Sequence, residues 1–144
     1  IAAKEARPSI SSEAKRLAHL RDRLVNGLRE QVPLLHLTGD PQSRLPQVAS
    51  FAVEYIEGQT LVRTLERKGI ITASGSSCSS DALKISPTLT SLGLPANIAQ
   101  GGIVMSLGKE TTQEEIDTVL TVFPQAVAEL RNLSPIYSGV AQGA

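Results

Sequence analysis

The run Ile70-Ile71-Thr72-Ala73-Ser74-Gly75-Ser76-Ser77-Cys78-Ser79-Ser80-Asp81-Ala82-Leu83 changes character midway. Its first four residues are rich in β-branched side chains, which suit a pleated and half-buried surface, and they predict a short strand over 70–73. Its middle is a tract of serine and glycine around Cys78, the only cysteine among 144 residues. A structural thiol is usually packed among aliphatic groups, because free cysteine behaves as a small hydrophobe. Small and hydroxyl neighbours instead leave this one reachable, and reactivity at sulfur follows thiolate fraction and access. Two readings stand at this point: an incidental thiol in a loop, or a sulfur that attacks and carries something.

Outward from that run, the chain alternates helical and strand patterns. Leu17, Leu20, Leu24 and Leu28 recur at helical spacing and predict a helix over 12–31, with a shorter one ahead of it that Pro8 ends. Leu34 to Thr38 and Val48 to Val53 read as strands on either side of the turn residues Gly39-Asp40-Pro41. A helix is predicted over 59–68, with Gly69 as its C′ residue. After the cysteine run, Pro87 opens a short helix ending at Gly93, and 95–100 forms another turn. A buried strand is predicted over 103–107. Thr112 and Glu115 then have capping-box spacing at the start of a long helix. That helix carries Ile116, Val119, Leu120, Phe123, Val127, Leu130 and Leu133 on one face and Pro124 inside it. Short strands among helices give an α/β two-layer sandwich.

Composition bounds the function classes. Fourteen basic and fourteen acidic side chains balance, which argues against the basic stripe of a nucleic-acid surface. Aromatic residues are few (Phe51, Tyr55, Phe123 and Tyr137), so no base-stacking platform is visible. No apolar run approaches the roughly 20 residues that span a bilayer. One cysteine forms no internal disulfide, which points to a reducing compartment, cytoplasmic or an organelle matrix or stroma. The chain opens on Ile1 and reads as a piece of a longer protein.

The order and spacing of several motifs carry a family resemblance. Ser74-Gly75-Ser76-Ser77-Cys78-Ser79-Ser80, Pro87 and Leu92-Gly93-Leu94 resemble the active-site loop of the NifS/IscS cysteine desulfurases, of the class V aminotransferase family. Leu20-Arg21-Asp22-Arg23-Leu24, Gly39-Asp40, Arg44-Leu45-Pro46 and Val53-Glu54-Tyr55-Ile56-Glu57-Gly58 agree upstream. Met105-Ser106-Leu107-Gly108, Thr111 to Asp117 and Leu130-Arg131-Asn132-Leu133-Ser134-Pro135 agree downstream. The resemblance implies the small carboxy-terminal domain of such a protein over 1–133, with 1–31 a helical lead-in, 74–84 a mobile cysteine loop and 134–144 a loose tail. It also implies the small domain of fold-type I enzymes: a largely antiparallel sheet with helices packed on one face. The family's pyridoxal 5′-phosphate lysine follows a histidine. Here His19 and His36 are each followed by leucine, so the cofactor's binding residues belong to a missing upstream portion, and the fragment alone is expected to be inactive.

In that family the cofactor acts as an electron sink, and a mobile thiolate takes sulfur from L-cysteine, leaving alanine. Cys78 is the residue that would hold the persulfide. The implied partners are L-cysteine, the missing large domain, a second subunit in a homodimer, and a sulfur acceptor or iron–sulfur scaffold protein. Neither membrane nor nucleic acid is implied. One position departs from the pattern. Within Gly102-Ile103-Val104-Met105-Ser106-Leu107 the family's carboxylate-binding arginine is replaced by Val104. Arginine grips a carboxylate through two parallel charge-assisted bonds. Losing such a bond, at about 1.5–3 kcal/mol, costs on the order of ten- to several-hundred-fold in substrate use. Lys109, five residues further on, is expected to point elsewhere.

The other candidates read more plainly. His19 is expected at the surface and His36 at a strand edge, and neither has metal-ligand spacing. Glu54 and Glu57 read as a solvated rim, and Asp40 as turn chemistry. Three functions follow: the small domain of a cysteine desulfurase; a binding or sulfur-carrier module whose amino-acid binding is impaired at Val104; or a cofactor-independent sulfurtransferase using Cys78 alone.

Overall fold

The computed structural model describes residues 10–74, 85–134 and 137. Cys78, the flanking serine and glycine residues from 75 to 84, the helix expected before Pro8 and most of the tail lie outside the described residues. The elements run α1 (Ile10–Gln31), β1 (Leu35–Leu37), β2 (Val48–Val53), α2 (Gly58–Arg67), β3 (Ala73–Ser74), α3 (Pro87–Ser91), α4 (Ala96–Ala99), β4 (Gly102–Ser106) and α5 (Gln113–Asn132).

The four strands form one antiparallel sheet in the order β1-β2-β4-β3. Alternation along β2 decides its facing. Ala49, Phe51 and Val53 are fully buried and join Ile103 and Met105 of β4 in the main core. Leu17, Leu20, Leu24 and Leu28 of α1, Leu61 and Leu65 of α2, and Ile116, Phe123 and Val127 of α5 complete that core. Three helices therefore cover one face, as the resemblance implies. At the opposite face, among the described residues, α3 and α4 cover one end: a Cβ on Gly102 would fall 2.5 Å from Leu89, and Leu89, Ala99 and Ala52 are buried there.

Helix ends follow local chemistry. Thr112 and Glu115 form the expected capping box at the start of α5, with Glu115 N–H donating to Thr112 Oγ1 at 3.2 Å and Thr112 N–H to Glu115 Oε2 at 2.9 Å. Gly69, at φ 84°, closes α2: its own N–H donates to Glu66 O and that of Ile70 to Leu65 O, each at 2.9 Å. Gly93 closes α3 in the same way, through Thr90 O and Leu89 O.

Three expectations need correction. The strand predicted over 70–73 is only Ala73–Ser74. The amide of Ile70 closes the turn after α2, and Ile71 is 80% exposed. β1 is shorter than 34–38 because Leu34 takes a left-handed φ of 58°. Leu133 leaves the apolar face and is 76% exposed, because α5 ends at Asn132. In its place Arg131 is buried.

Two backbone approaches lock the sheet to its surroundings. Val53 N–H donates to Gly101 O at 3.0 Å and Gly58 N–H to Gln100 O at 2.9 Å. A Cβ on Gly101 would lie 2.0 Å from Val53 O, and one on Gly58 would lie 2.2 Å from Gly102 O. These contacts set the entry of β4 against the end of β2 and the start of α2.

Candidate functional site

The face of the sheet opposite the three large helices carries Val48, Ser50 and Ala52 from β2 and Gly102, Val104 and Ser106 from β4, since side chains alternate along a strand. Ala52 and Gly102 lie under α3 and α4, whereas Val104 is half-buried and Ser106 is exposed. Val104 sits between Ser50 of β2 and Ala73 of β3 in register. Ala73 and Ser74 are the last described residues before the segment that holds Cys78. The strand that leads into the cysteine segment is thus hydrogen-bonded to the strand that bears Val104. The sequence places these two features some thirty residues apart, and only the sheet brings their strands together.

Neither register partner of Val104 is charged. Ser50 accepts a 2.6 Å hydrogen bond from Thr38 Oγ1, so its hydroxyl is held. Beyond it Arg44 donates to the carbonyls of Thr38 and Asp40 at 3.1 and 2.9 Å, fixing the loop between β1 and β2. Asp40 Oδ1 accepts from the amides of Gln42 and Ser43, both at 2.7 Å. These amides hold the Asp40 carboxyl below its ordinary range, Ser43 contributing most. A cavity of about 150 Å³ lies there, lined by Thr38, Asp40, Ser43, Arg44, Val48 and Ser50.

Lys109 does not join Val104. It is exposed, and its carbonyl accepts a 2.6 Å bond from Arg16 on α1. Arg16 also donates to Thr111 O at 2.8 Å and pairs with Glu13 at 2.6 Å. This one guanidinium ties the connection after β4 to the helical layer. Arg21, in the Leu20-Arg21-Asp22 motif, does similar work: it is buried, binds Asp22 Oδ1 at 2.7 Å and donates to Leu45 O at 3.1 Å.

His19 is exposed, as expected. His36 lies on edge strand β1 with Nε2 2.6 Å from Glu54 Oε1. Glu54 is therefore more than a solvated rim, since its side chain is only 17% exposed and has a partner. Glu57 accepts from Thr60 at 2.9 Å. Among the described residues no group of three His, Cys, Asp or Glu side chains could hold a metal ion, and no helix is long and apolar enough to cross a membrane.

The described lysines do not suit a Schiff-base role. Lys15, Lys68 and Lys109 are exposed, and Lys68 pairs with Glu129 at 3.3 Å. Proteins of this kind generally use pyridoxal 5′-phosphate.

Ser50, Ala73 and Arg131 were not singled out from the sequence. Ser50 is the one polar residue of the strand over 48–53, a weak signal of its facing, and the pairing of Ala73 with Val104 has no local signal.

Comparison with known proteins agrees with this arrangement. The model of the aminotransferase class-V family matches residues 6–119. The chain is 41% identical over 139 residues to the cysteine desulfurase NifS of Azotobacter vinelandii, covering 96% of this chain and 35% of that protein. It is 42% identical over 131 residues to the cysteine desulfurase IscS of Methanosarcina thermophila, covering 91% of this chain and 32% of that protein. A solved NifS-like protein superposes with a TM-score of 0.72 at 29% identity, over 85% of this chain and 30% of the other. The chain thus spans about a third of the length of the curated relatives it matches. On the family match over most of its length, with these relatives and this fold in agreement, the chain belongs to the class-V aminotransferases, among the NifS/IscS cysteine desulfurase homologues.

Proposed function

We propose that this chain is the small domain of a cysteine desulfurase and that Cys78 is its sulfur-carrying nucleophile. In the overall conversion the bond from carbon to sulfur in L-cysteine breaks, a sulfur–sulfur bond forms at Cys78, and the products are alanine and the Cys78 persulfide. Pyridoxal 5′-phosphate supplies the electron sink for carbon–sulfur cleavage when bound, and its binding residues belong to a part of the protein outside this chain. The persulfide sulfur then passes to an acceptor protein, for which an iron–sulfur scaffold is one candidate. A homodimer is the proposed assembly.

One observation carries this reading: β3, which leads into the cysteine segment, is paired with β4 at Val104 on the open face. Four peptide links separate Ser74 from Cys78, a reach of at most about 14 Å. Covalent geometry alone therefore keeps Cys78 within that distance of the end of β3. Small, hydroxyl-bearing neighbours leave it accessible to substrate and acceptor in turn, and thiol exchange depends on such access.

Val104 qualifies the proposed substrate binding. The family's arginine at this position would grip the α-carboxylate, and the register neighbours Ser50 and Ala73 supply no replacement cation. A desulfurase with a weakened hold on its amino acid is the reading we favour, with sulfur carriage retained at Cys78.

The test is alanine release from L-cysteine by the cofactor-loaded full-length protein. Formation of alanine in the parent and its loss in Cys78→Ser would support the proposal. Equal alanine from both would refute a nucleophilic role for Cys78.

A further inference from the structure

On the face of the sheet opposite the three large helices, the strand residues around Val104 are all uncharged. Val104 stands in register between Ser50 of β2 and Ala73 of β3, and Ser106, two residues on, pairs with Val48. Val104 and Ser50 are half-buried, so a group seated on them gives up part of its water. The nearby cations are engaged elsewhere. Arg16 and Lys109 both act on Glu13 of α1, on the helical side of the sheet. They hold its carboxyl below its ordinary range, the Arg16 hydrogen bond contributing most. Arg44 commits Nε and Nη2 to the carbonyls of Asp40 and Thr38. The Asp40 carboxylate lines the same cavity as Arg44 and Ser50, so the cation bordering Ser50 comes with an anion beside it.

A carboxylate placed over Val104 therefore loses water and gains no cation among the described residues, a state that disfavours a charge. A carboxamide or ester of similar shape brings no charge to that surface. Ser50 suits such a group. Its oxygen accepts from Thr38 Oγ1 at 2.6 Å, which leaves its own O–H to donate to a carbonyl oxygen.

The inference rests on the proposed function above, in which the carboxyl end of the amino acid meets β4 at Val104. We propose that the preferred sulfur donor of this protein is a β-aminothiol with an uncharged carboxyl group, a cysteine amide or ester. With L-cysteinamide the carbon–sulfur bond breaks and the sulfur joins that of Cys78. The carbon gains a hydrogen, matching the one lost from the Cys78 thiol, and leaves as alaninamide. Carbon is reduced as Cys78 is oxidised to the persulfide, so no further reactant is needed.

The experiment compares L-cysteinamide with L-cysteine in the cofactor-loaded full-length protein. It follows release of alaninamide or alanine and, by mass spectrometry, the sulfur added to Cys78. The expected result is a kcat/KM about tenfold or more higher for L-cysteinamide, the scale of one charged contact, and reversal of that order in Val104→Arg. An amide also acidifies the adjoining Cα–H, so binding is read separately through inhibition of turnover. Alaninamide should inhibit the parent about tenfold or more tightly than alanine. The parent comparisons decide the matter even if Val104→Arg fails to fold. Equal or better use of L-cysteine, or equal inhibition by the two products, in a protein whose turnover needs Cys78 would overturn this inference and leave the proposed function standing. No turnover of either donor, or turnover that persists in Cys78→Ser, would overturn the proposed function and this inference with it.

Discussion

Ala73 and Val104 face each other across the β3–β4 ladder. Their pairing joins the strand that leads to the only cysteine with the strand that bears the valine of the proposed substrate-binding position. Val104 is flanked in register by Ser50 and Ala73, and neither provides a charge.

Restoring the cation should restore the grip. In the cofactor-loaded full-length protein, Val104→Arg is expected to lower the KM for L-cysteine on the order of ten- to hundredfold, the range of a charge-assisted bond of about 1.5–3 kcal/mol. Steady-state kinetics check this, with cysteamine, which lacks the carboxylate, as the control substrate that should show no such gain.

Gly101→Ala should destabilise the fold. The new methyl would lie 2.0 Å from Val53 O, a backbone atom that cannot turn aside. Overpacking of this kind costs about 1–3 kcal/mol, occasionally more. Urea unfolding should show a lower midpoint at an unchanged m-value.

Removing the cap of α5 should have a smaller effect. Thr112→Ala deletes the acceptor for Glu115 N–H at the helix start, and loss of an N-cap costs about 1 kcal/mol. Because Arg16 still holds Thr111 O and Lys109 O, the helix should keep its position and lose only stability. Thermal unfolding of the variant checks this.

Asp40 predicts a pH dependence. Its folded pKa is depressed from 3.8 by the amides of Ser43 and Gln42. Stability from this turn is therefore fully present above the unfolded value and is lost as pH falls through the lower folded value. Asp40→Asn should be less stable than the parent at neutral pH, with the difference shrinking below about pH 4. Denaturant titrations of both proteins across that range give the comparison.

Much of this arrangement is legible in the sequence because the signals are local. The strand over Val48–Val53, the Thr112/Glu115 spacing and the glycines at 69 and 93 are each set within a few residues, and all appear in the structure. What escaped depends on distant partners. Nothing near Ala73 specifies β4 as its neighbour, and nothing near Ile70 tells that its amide closes a helix instead of joining a strand. Arg131 escaped for a different reason. Its charge argues for the surface, whereas Glu54 O and the Tyr137 ring accommodate it inside. The role of Cys78 rests on the resemblance, since its segment lies outside the described residues.

The most direct measurement is mass spectrometry of the Cys78 peptide from cofactor-loaded full-length protein incubated with L-cysteine, without reductant. The account predicts a gain equal to one sulfur atom on Cys78, removed by dithiothreitol and transferable to an acceptor thiol. An unmodified Cys78 in protein that is releasing alanine would contradict it.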